Sequence, residues 1–196
     1  MAVGDDFFHY RQVGTGGGFG KRWYNCGSMG SYYYGLGATS CNGVLHAHPF
    51  HSGRGVTIEE AGTYCSTGTS TLVRFGLYEV EGEPGNLYPT TLRVDFLAAT
   101  VADNTFVKRL TLAHVVPANK ILMAAMISNG THTFTSTDVG TGAAYGNSLG
   151  LDVSSDPSTS RQGITVTQAY GVLPATFPAG GALATNVAAP WFYFSA

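Results

Sequence analysis

Three histidines stand close together in the segment LHAHPFH, at positions 46, 48 and 51. Residues two apart on a β-strand point to the same face, so His46 and His48 have the spacing that two imidazole ligands of one metal ion require. No neighbouring Cys, Asp or Glu completes a site within one chain. We therefore predict no metal, and we keep as the alternative a site at which His46 and His48 of neighbouring subunits share an ion.

The carboxylates do not form a recognisable acid–base pair. Glu79, Glu81 and Glu83 cluster at a predicted hairpin, where a solvated sheet edge is the ordinary interpretation. Cleavage of a glycosidic bond would need two carboxyl groups facing one another across the substrate, and no such pair can be identified from the sequence. We predict no catalytic residues, and a small carbohydrate-active enzyme is the disfavoured alternative.

The glycine-rich segment Gly14–Gly20 does not fit a phosphate-binding loop. The pattern G-x-G-x-x-G needs glycine where Phe19 or Lys21 stands, and a P-loop needs Ser or Thr after Lys21, where Arg22 is found. No G-x-S-x-G motif occurs, and the three cysteines show no C-x-x-C spacing. The sequence therefore predicts no cofactor.

Composition narrows the function classes further. Only 11% of the 196 residues are charged, while 27 are glycine, which is typical of turn-rich β structure. The net charge of −2 and the absence of a Lys/Arg run predict no nucleic-acid partner. No continuous apolar span approaches about 20 residues, so we expect no membrane segment. Acidic residues in the first ten positions also predict no secretory signal.

Alternating apolar residues dominate the chain from residue 43 onward. In the stretch Thr71–Phe96, Val73, Phe75 and Leu77 fall on one face of a predicted strand and Arg74 falls on the other. The predicted strands are Val44–Phe50, Val56–Ser66, Leu72–Val80, Thr91–Phe96, Thr105–Leu112, Ile121–Ser128, Thr131–Ser136, Ile164–Tyr170 and Trp191–Ser195. Many short strands separated by Gly, Pro and Asn turns predict an all-β fold, an antiparallel β-sandwich of jelly-roll type.

The first 39 residues show neither a helical nor a strand-like hydrophobic period over any length. They carry two glycine-rich runs, residues 13–20 and 28–37. Such a segment has many backbone options and cannot bury its own aromatic residues. We predict that residues 1–39 form an extended N-terminal attachment arm, which becomes ordered on a partner. Residues 40–196 then form the β-sandwich domain.

Charge is absent from two long segments: no Asp, Glu, Lys or Arg lies between Arg22 and Arg54, or after Arg161. Each segment is open to two interpretations, burial against a partner or polar loops plus one core strand. Aromatic clusters at residues 32–34 and 191–194 fall in these segments, which favours an interface. The candidate partner-binding residues are Phe7, Phe8, Tyr10, Trp23, Tyr32, Tyr33, Tyr34, Trp191, Phe192 and Tyr193.

Four pieces of the sequence follow one another in a recognisable order. Val44–Phe50 ends in Pro-Phe, and Arg54–Glu59 reads R-G-V-T-I-E. Val73–Tyr78 reads V-R-F-G-L-Y, and Gly82–Leu87 reads G-E-P-G-N-L. Together they resemble a β-sandwich module of tailed-bacteriophage virion proteins, of the minor-tail, tail-fibre and head-decoration types. The resemblance covers residues 43–129, under half of the chain.

This resemblance implies a non-enzymatic structural protein on the outer surface of a virion, made in the host cytoplasm. The leading expectation is a capsid decoration (cement) or short head-fibre protein that contacts the major capsid protein, because the chain has no heptads or repeats to build a shaft. The alternative is a receptor-binding tail or tail-fibre tip protein, which contacts tail proteins and a host-surface glycan or protein. The aromatic C-terminal strand adds the expectation of a homo-oligomer, with a trimer favoured.

Overall fold

The computed structural model describes residues 22–25, 40–52, 55–67, 71–82, 87–101, 105–131, 133–134, 163–184, 187 and 191–195. In these ranges every regular element is a β-strand. The strands are β1 (Arg22–Asn25), β2 (Val44–Ser52), β3 (Val56–Thr67), β4 (Thr71–Glu81), β5 (Tyr88–Val101), β6 (Thr105–Val116), β7 (Lys120–Ser128), β8 (Thr133–Phe134), β9 (Gly163–Thr167), β10 (Ala182–Ala184) and β11 (Trp191–Ser195).

The strands form two antiparallel sheets. One sheet has six strands in the order β10-β9-β2-β7-β4-β5, and the other has five, in the order β1-β11-β3-β6 with β8 also paired to β3. The prediction of an all-β sandwich is confirmed. The jelly-roll connection pattern stays a prediction.

An apolar core lies between the inner faces of the two sheets. The six-stranded sheet contributes Val73, Phe75 and Leu77 from β4, all fully buried. The five-stranded sheet contributes Ile58 and Ala61 from β3. The alternation read from the sequence is therefore correct for β4, because its odd-numbered apolar residues all reach this core.

The six-stranded sheet is also apolar on its outer face. On β7, Leu122, Ala124 and Met126 belong to the core between the sheets, whereas Met123 and Ile127 belong to a second core on the other side. β7 is therefore a central strand that is buried on both faces. It also means that something must cover the outer face, since an exposed apolar sheet would be unstable in water.

Residues 168–181, called the strap below, provide that cover. The strap connects β9 to β10 and crosses the outer face as far as β5, the opposite edge strand. There the backbone N–H of Leu92 donates to the Ala175 oxygen over 2.9 Å, and the N–H of Phe177 donates to the Thr90 oxygen over 2.7 Å. These bonds satisfy backbone groups that an edge strand would otherwise leave open.

Two short strands were not predicted from the sequence, β1 and β10. Strand β1 lies within the range assigned to the arm, yet it pairs with β11, with Trp23 opposite Tyr193. Residues 22–25 are therefore hydrogen-bonded to the sandwich. The other residues of the 1–39 range lie outside the described residues.

The two charge-free segments contain elements that bury themselves within one chain. In the first, residues 45–50 of β2 are buried in the six-stranded sheet. In the second, Leu173 and Phe177 of the strap are buried in the outer core. For these elements, the interpretation as core structure accounts for the missing charge without a partner.

Candidate functional site

His46 and His48 lie on β2 with exposed fractions of 3% and 2%. Their cross-strand neighbours on β7, Met126 and Ala124, belong to the core between the sheets, so both imidazoles face that core. Burial lowers the pKa of His46 to about 4, which keeps this ring neutral at pH 7. His48 Nδ1 lies 3.0 Å from the Pro49 oxygen.

This burial does not fit the alternative of a metal site shared by His46 and His48 of neighbouring subunits, because ligands that meet across an interface must reach the surface. Within the described ranges, no group of three or more His, Cys, Asp or Glu residues is placed to hold a metal ion. The two histidines instead act as partly polar core residues beside Phe50.

A charged cluster closes one end of the sandwich. Arg93 of β5 donates from Nη1 to Glu79 Oε1 over 2.7 Å and from Nε to His114 Nε2 over 3.0 Å. Lys120 Nζ lies 2.9 Å from Glu79 Oε2, and Arg93 Nη2 donates to the Val115 oxygen over 3.2 Å. Because His114 and Val115 belong to β6, Arg93 ties the six-stranded sheet to the five-stranded sheet.

The electrostatics of this cluster favour ion pairing over proton transfer. Burial acts to raise the pKa of Glu79, but hydrogen bonds and charges from Lys120 and Arg93 outweigh it and leave the pKa below its usual value. Burial, assisted by the Arg93 charge and opposed by Glu79, lowers the pKa of His114. Glu79 therefore holds no proton to donate at neutral pH. The expectation of a solvated edge is corrected here for Glu79.

A second ion pair lies on the outer face of the six-stranded sheet. Arg74 Nε donates to both carboxylate oxygens of Asp95, over 2.9 and 2.8 Å, and the two side chains are 14% and 15% exposed. Asp95 Oδ1 also accepts the backbone N–H of Leu97, which occupies a bulge in β5 with a φ of 64°. At the start of the strap, burial raises the pKa of Tyr170, the Arg74 charge acts to lower it, and the Asp95 charge acts to raise it.

Aromatic side chains hold the middle of the strap against the sheet. The ring of Phe177 stands at 89° to that of Tyr78 and at 85° to that of Tyr88, with centroids 5.1 and 5.8 Å apart. The Tyr88 hydroxyl donates to the Pro178 oxygen over 2.7 Å and accepts the N–H of Gly181 over 2.9 Å. Sequence reasoning missed this arrangement, and the available signal was the uncharged run around Phe177.

The predicted partner-binding residues divide into two groups. Trp23 lies on β1, and Trp191, Phe192 and Tyr193 lie on β11, where Tyr193 pairs with both Trp23 and Glu60. The fold therefore brings the aromatic residues of both termini into adjacent strands of the five-stranded sheet. The remaining residues of the set, Phe7, Phe8, Tyr10, Tyr32, Tyr33 and Tyr34, lie outside the described residues.

No family model and no curated protein matches this chain. In the described part of the chain, no helix is long and apolar enough to cross a membrane.

Proposed function

We propose that this protein is a non-enzymatic structural protein of a tailed-bacteriophage virion, a capsid decoration (cement) or short head-fibre protein on the particle surface. The observation that carries the proposal is the order of the four resembling pieces. Val44–Phe50 lies in β2, Val56–Glu59 of the second piece begin β3, Val73–Tyr78 lies in β4, and the fourth piece falls between β4 and β5 in the sequence. They are successive parts of one sandwich, as the resemblance implies.

Among the described residues, the paired charged side chains also support a structural role. Glu79 forms ion pairs with Arg93 and Lys120 at one end of the sandwich, and Arg74 forms an ion pair with Asp95. In these described residues, the charged groups are engaged with one another within the chain, which supports a structural role.

Attachment is assigned to the N-terminal arm, with Phe7, Phe8, Tyr10 and residues 32–34 as apolar anchors on the major capsid protein. Such a segment would pay its ordering cost on binding, so large aromatic contacts are needed to give stable attachment. A homo-oligomer remains part of this proposal, with a trimer as the expectation from the sequence.

The test uses particles that lack this protein, to which the purified full-length protein is added back. Binding is measured by co-sedimentation, and the position of the bound protein is found by cryo-electron microscopy. The attachment variant carries Phe7→Ser and Phe8→Ser, and the matched control carries Phe19→Ser, an arm aromatic residue outside the predicted anchors. We expect density over the capsid, normal binding of the control, and loss of binding by the double variant.

Three outcomes would contradict this proposal. Density confined to the tail, with a copy number that follows the tail symmetry, would favour the receptor-binding alternative. Hydrolysis of a host polysaccharide by the purified protein would identify an enzyme. Normal binding by the Phe7→Ser, Phe8→Ser variant would move attachment from these residues to another part of the protein.

A further inference from the structure

Two Asn-Gly dipeptides meet at one end of the six-stranded sheet. Asn42–Gly43 directly precedes β2, and Asn129–Gly130 directly follows β7. Asn42 forms a parallel bridge with Ser128, whose backbone N–H donates to the Cys41 oxygen over 3.0 Å. Both asparagines are exposed to solvent. Asparagine is a chemically labile residue, and glycine after it leaves the next amide nitrogen unshielded, because glycine has no Cβ.

The reaction open to such a dipeptide is loss of ammonia from the asparagine side chain. The backbone nitrogen of the glycine loses its proton to water and forms a bond to the asparagine Cγ. The bond between Cγ and Nδ2 then breaks, and ammonia leaves with a proton taken from water. Water next opens the resulting succinimide ring to aspartate or isoaspartate. The net reaction consumes one water molecule and releases one ammonia, so it requires no oxidant or other co-reactant.

The carboxamide of Asn129 is held by the neighbouring strand. Its Oδ1 accepts the backbone N–H of Leu72 over 2.7 Å, and the Asn129 N–H donates to the Leu72 oxygen over 3.1 Å. The Ser128 hydroxyl also donates to the Gly130 oxygen over 3.0 Å. Ring closure requires the Asn129 Cγ to approach the Gly130 nitrogen, and these bonds restrict that movement. The fold therefore protects Asn129.

Asn42 has no comparable restraint on its side chain. Its backbone N–H lies 3.3 Å from Ser40 Oγ, but among the described residues its carboxamide forms no hydrogen bond. The Gly43 nitrogen donates to the Ser128 oxygen over 3.5 Å, which is at the outer limit of a hydrogen bond. A Cβ added to Gly43 would meet nothing within 4 Å, so the space on that side of the backbone is open.

We infer that Asn42 is a site of spontaneous deamidation in the folded protein, whereas Asn129 is protected from the same reaction. The product carries a carboxylate at residue 42, where no other charged residue lies between Arg22 and Arg54. Isoaspartate also adds a methylene group to the backbone of the turn in which the Val44 N–H donates to the Cys41 oxygen over 3.4 Å. The modification therefore changes both the charge and the backbone geometry at the start of β2.

The experiment incubates the purified full-length protein in mildly alkaline buffer, with a parallel sample in denaturant. Trypsin separates the two sites, because Asn42 falls in peptide 23–54 and Asn129 in peptide 121–161. Mass spectrometry follows the mass gain of deamidation at each residue over time, and fragmentation distinguishes isoaspartate from aspartate. Melting curves establish that the first sample stays folded. The inference does not depend on the virion role, because no particle is present in this measurement.

In denaturant the two sites should react at similar rates, because glycine follows each asparagine. In the folded protein we expect Asn42 to react about tenfold faster than Asn129, since hydrogen bonds that oppose ring closure add to the barrier. The variant Asn42→Gln should remove the modification from peptide 23–54, because the longer side chain closes a ring far more slowly.

Three results would overturn the inference. The first is equal rates at the two sites in the folded protein, or a faster reaction at Asn129. The second is an Asn42 that reacts in denaturant but not in the folded protein. The third is modification of peptide 23–54 that persists in the Asn42→Gln variant, which would place the reaction at another residue.

Discussion

Tyr78 donates its phenolic hydrogen to the carbonyl oxygen of Pro174 over 2.9 Å, although 96 positions separate the two residues in the chain. This bond joins the six-stranded sheet to the strap, and the ring of Phe177 packs edge-to-face against the ring of Tyr78. The strap therefore contributes Leu173 and Phe177 to the hydrophobic core, while its other side is exposed to solvent. Its removal would expose the outer face of β4 and the edge of β5.

We expect Phe177→Ala to lower the free energy of unfolding by about 3–5 kcal/mol, because it leaves a cavity between Tyr78, Tyr88 and the strap. The adjacent Thr176→Ala is the control, since Thr176 is exposed and should change stability by no more than about 0.5 kcal/mol. Urea titrations followed by tyrosine and tryptophan fluorescence would measure both. Similar losses for the two variants would mean that Phe177 is not an anchor.

Gly76 is required by close packing. A Cβ atom at this position would collide with Leu173 and would stand 2.9 Å from the Val94 oxygen, which is backbone and cannot easily move. We expect Gly76→Ala to cost about 1–3 kcal/mol of stability. Adding Leu173→Ala to the Gly76→Ala variant should restore only part of the lost stability, because the clash with the Val94 oxygen remains.

Gly171 is the matched control for Gly76, because a Cβ there would meet nothing within 4 Å. Gly171→Ala should therefore shift stability by no more than about 0.5 kcal/mol. Thermal melts of the two alanine variants would compare them directly. A tolerated Gly76→Ala would show that the strap does not lie against β4 at this point.

The Arg74–Asp95 pair predicts a measurable coupling. Arg74→Met or Asp95→Asn alone should each cost about 1–3 kcal/mol, because either change leaves a mostly buried polar partner unsatisfied. The double variant should cost less than the two single losses added together, by about 0.5–3 kcal/mol. A double-mutant cycle in denaturant gives this difference, and simple additivity would contradict the ion pair.

Stability should fall on acidification before the carboxylates titrate. The pKa of His46 drops from 6.5 in the unfolded chain to about 4 in the folded protein, so protonation favours unfolding. Its contribution is complete above about pH 6.5 and is lost progressively towards pH 4, to a total of about 3 kcal/mol. The lowered pKa of His114 acts with the same sign.

His46→Met provides the test of the pH dependence, because it replaces the titrating ring with an apolar side chain of similar volume. Unfolding free energies measured from pH 7 to pH 5 should decline less steeply in this variant than in the wild type. An unchanged slope would show that His46 is hydrated in the native state and does not carry the effect.

The sequence by itself determined the strand architecture, because side-chain alternation is a local property that each strand displays without its neighbours. It placed β11 at Trp191–Ser195, and its predicted strand Ile121–Ser128 matches β7, Lys120–Ser128. The short strands β1 and β10, of four and three residues, contain too few positions to show a period.

Only the tertiary structure decided where the uncharged C-terminal residues lie. Their composition was equally compatible with a partner interface and with burial in the chain's own core. The hydrogen bond from the Tyr88 hydroxyl to the Pro178 oxygen, 90 positions away, shows that the strap lies on the six-stranded sheet. The side-chain partners of Arg93 also depend on the tertiary structure. Glu79 and His114 come within reach of Arg93 together only when the two sheets pack. Such contacts depend on which surfaces meet in three dimensions, and a local pattern carries no record of distant partners.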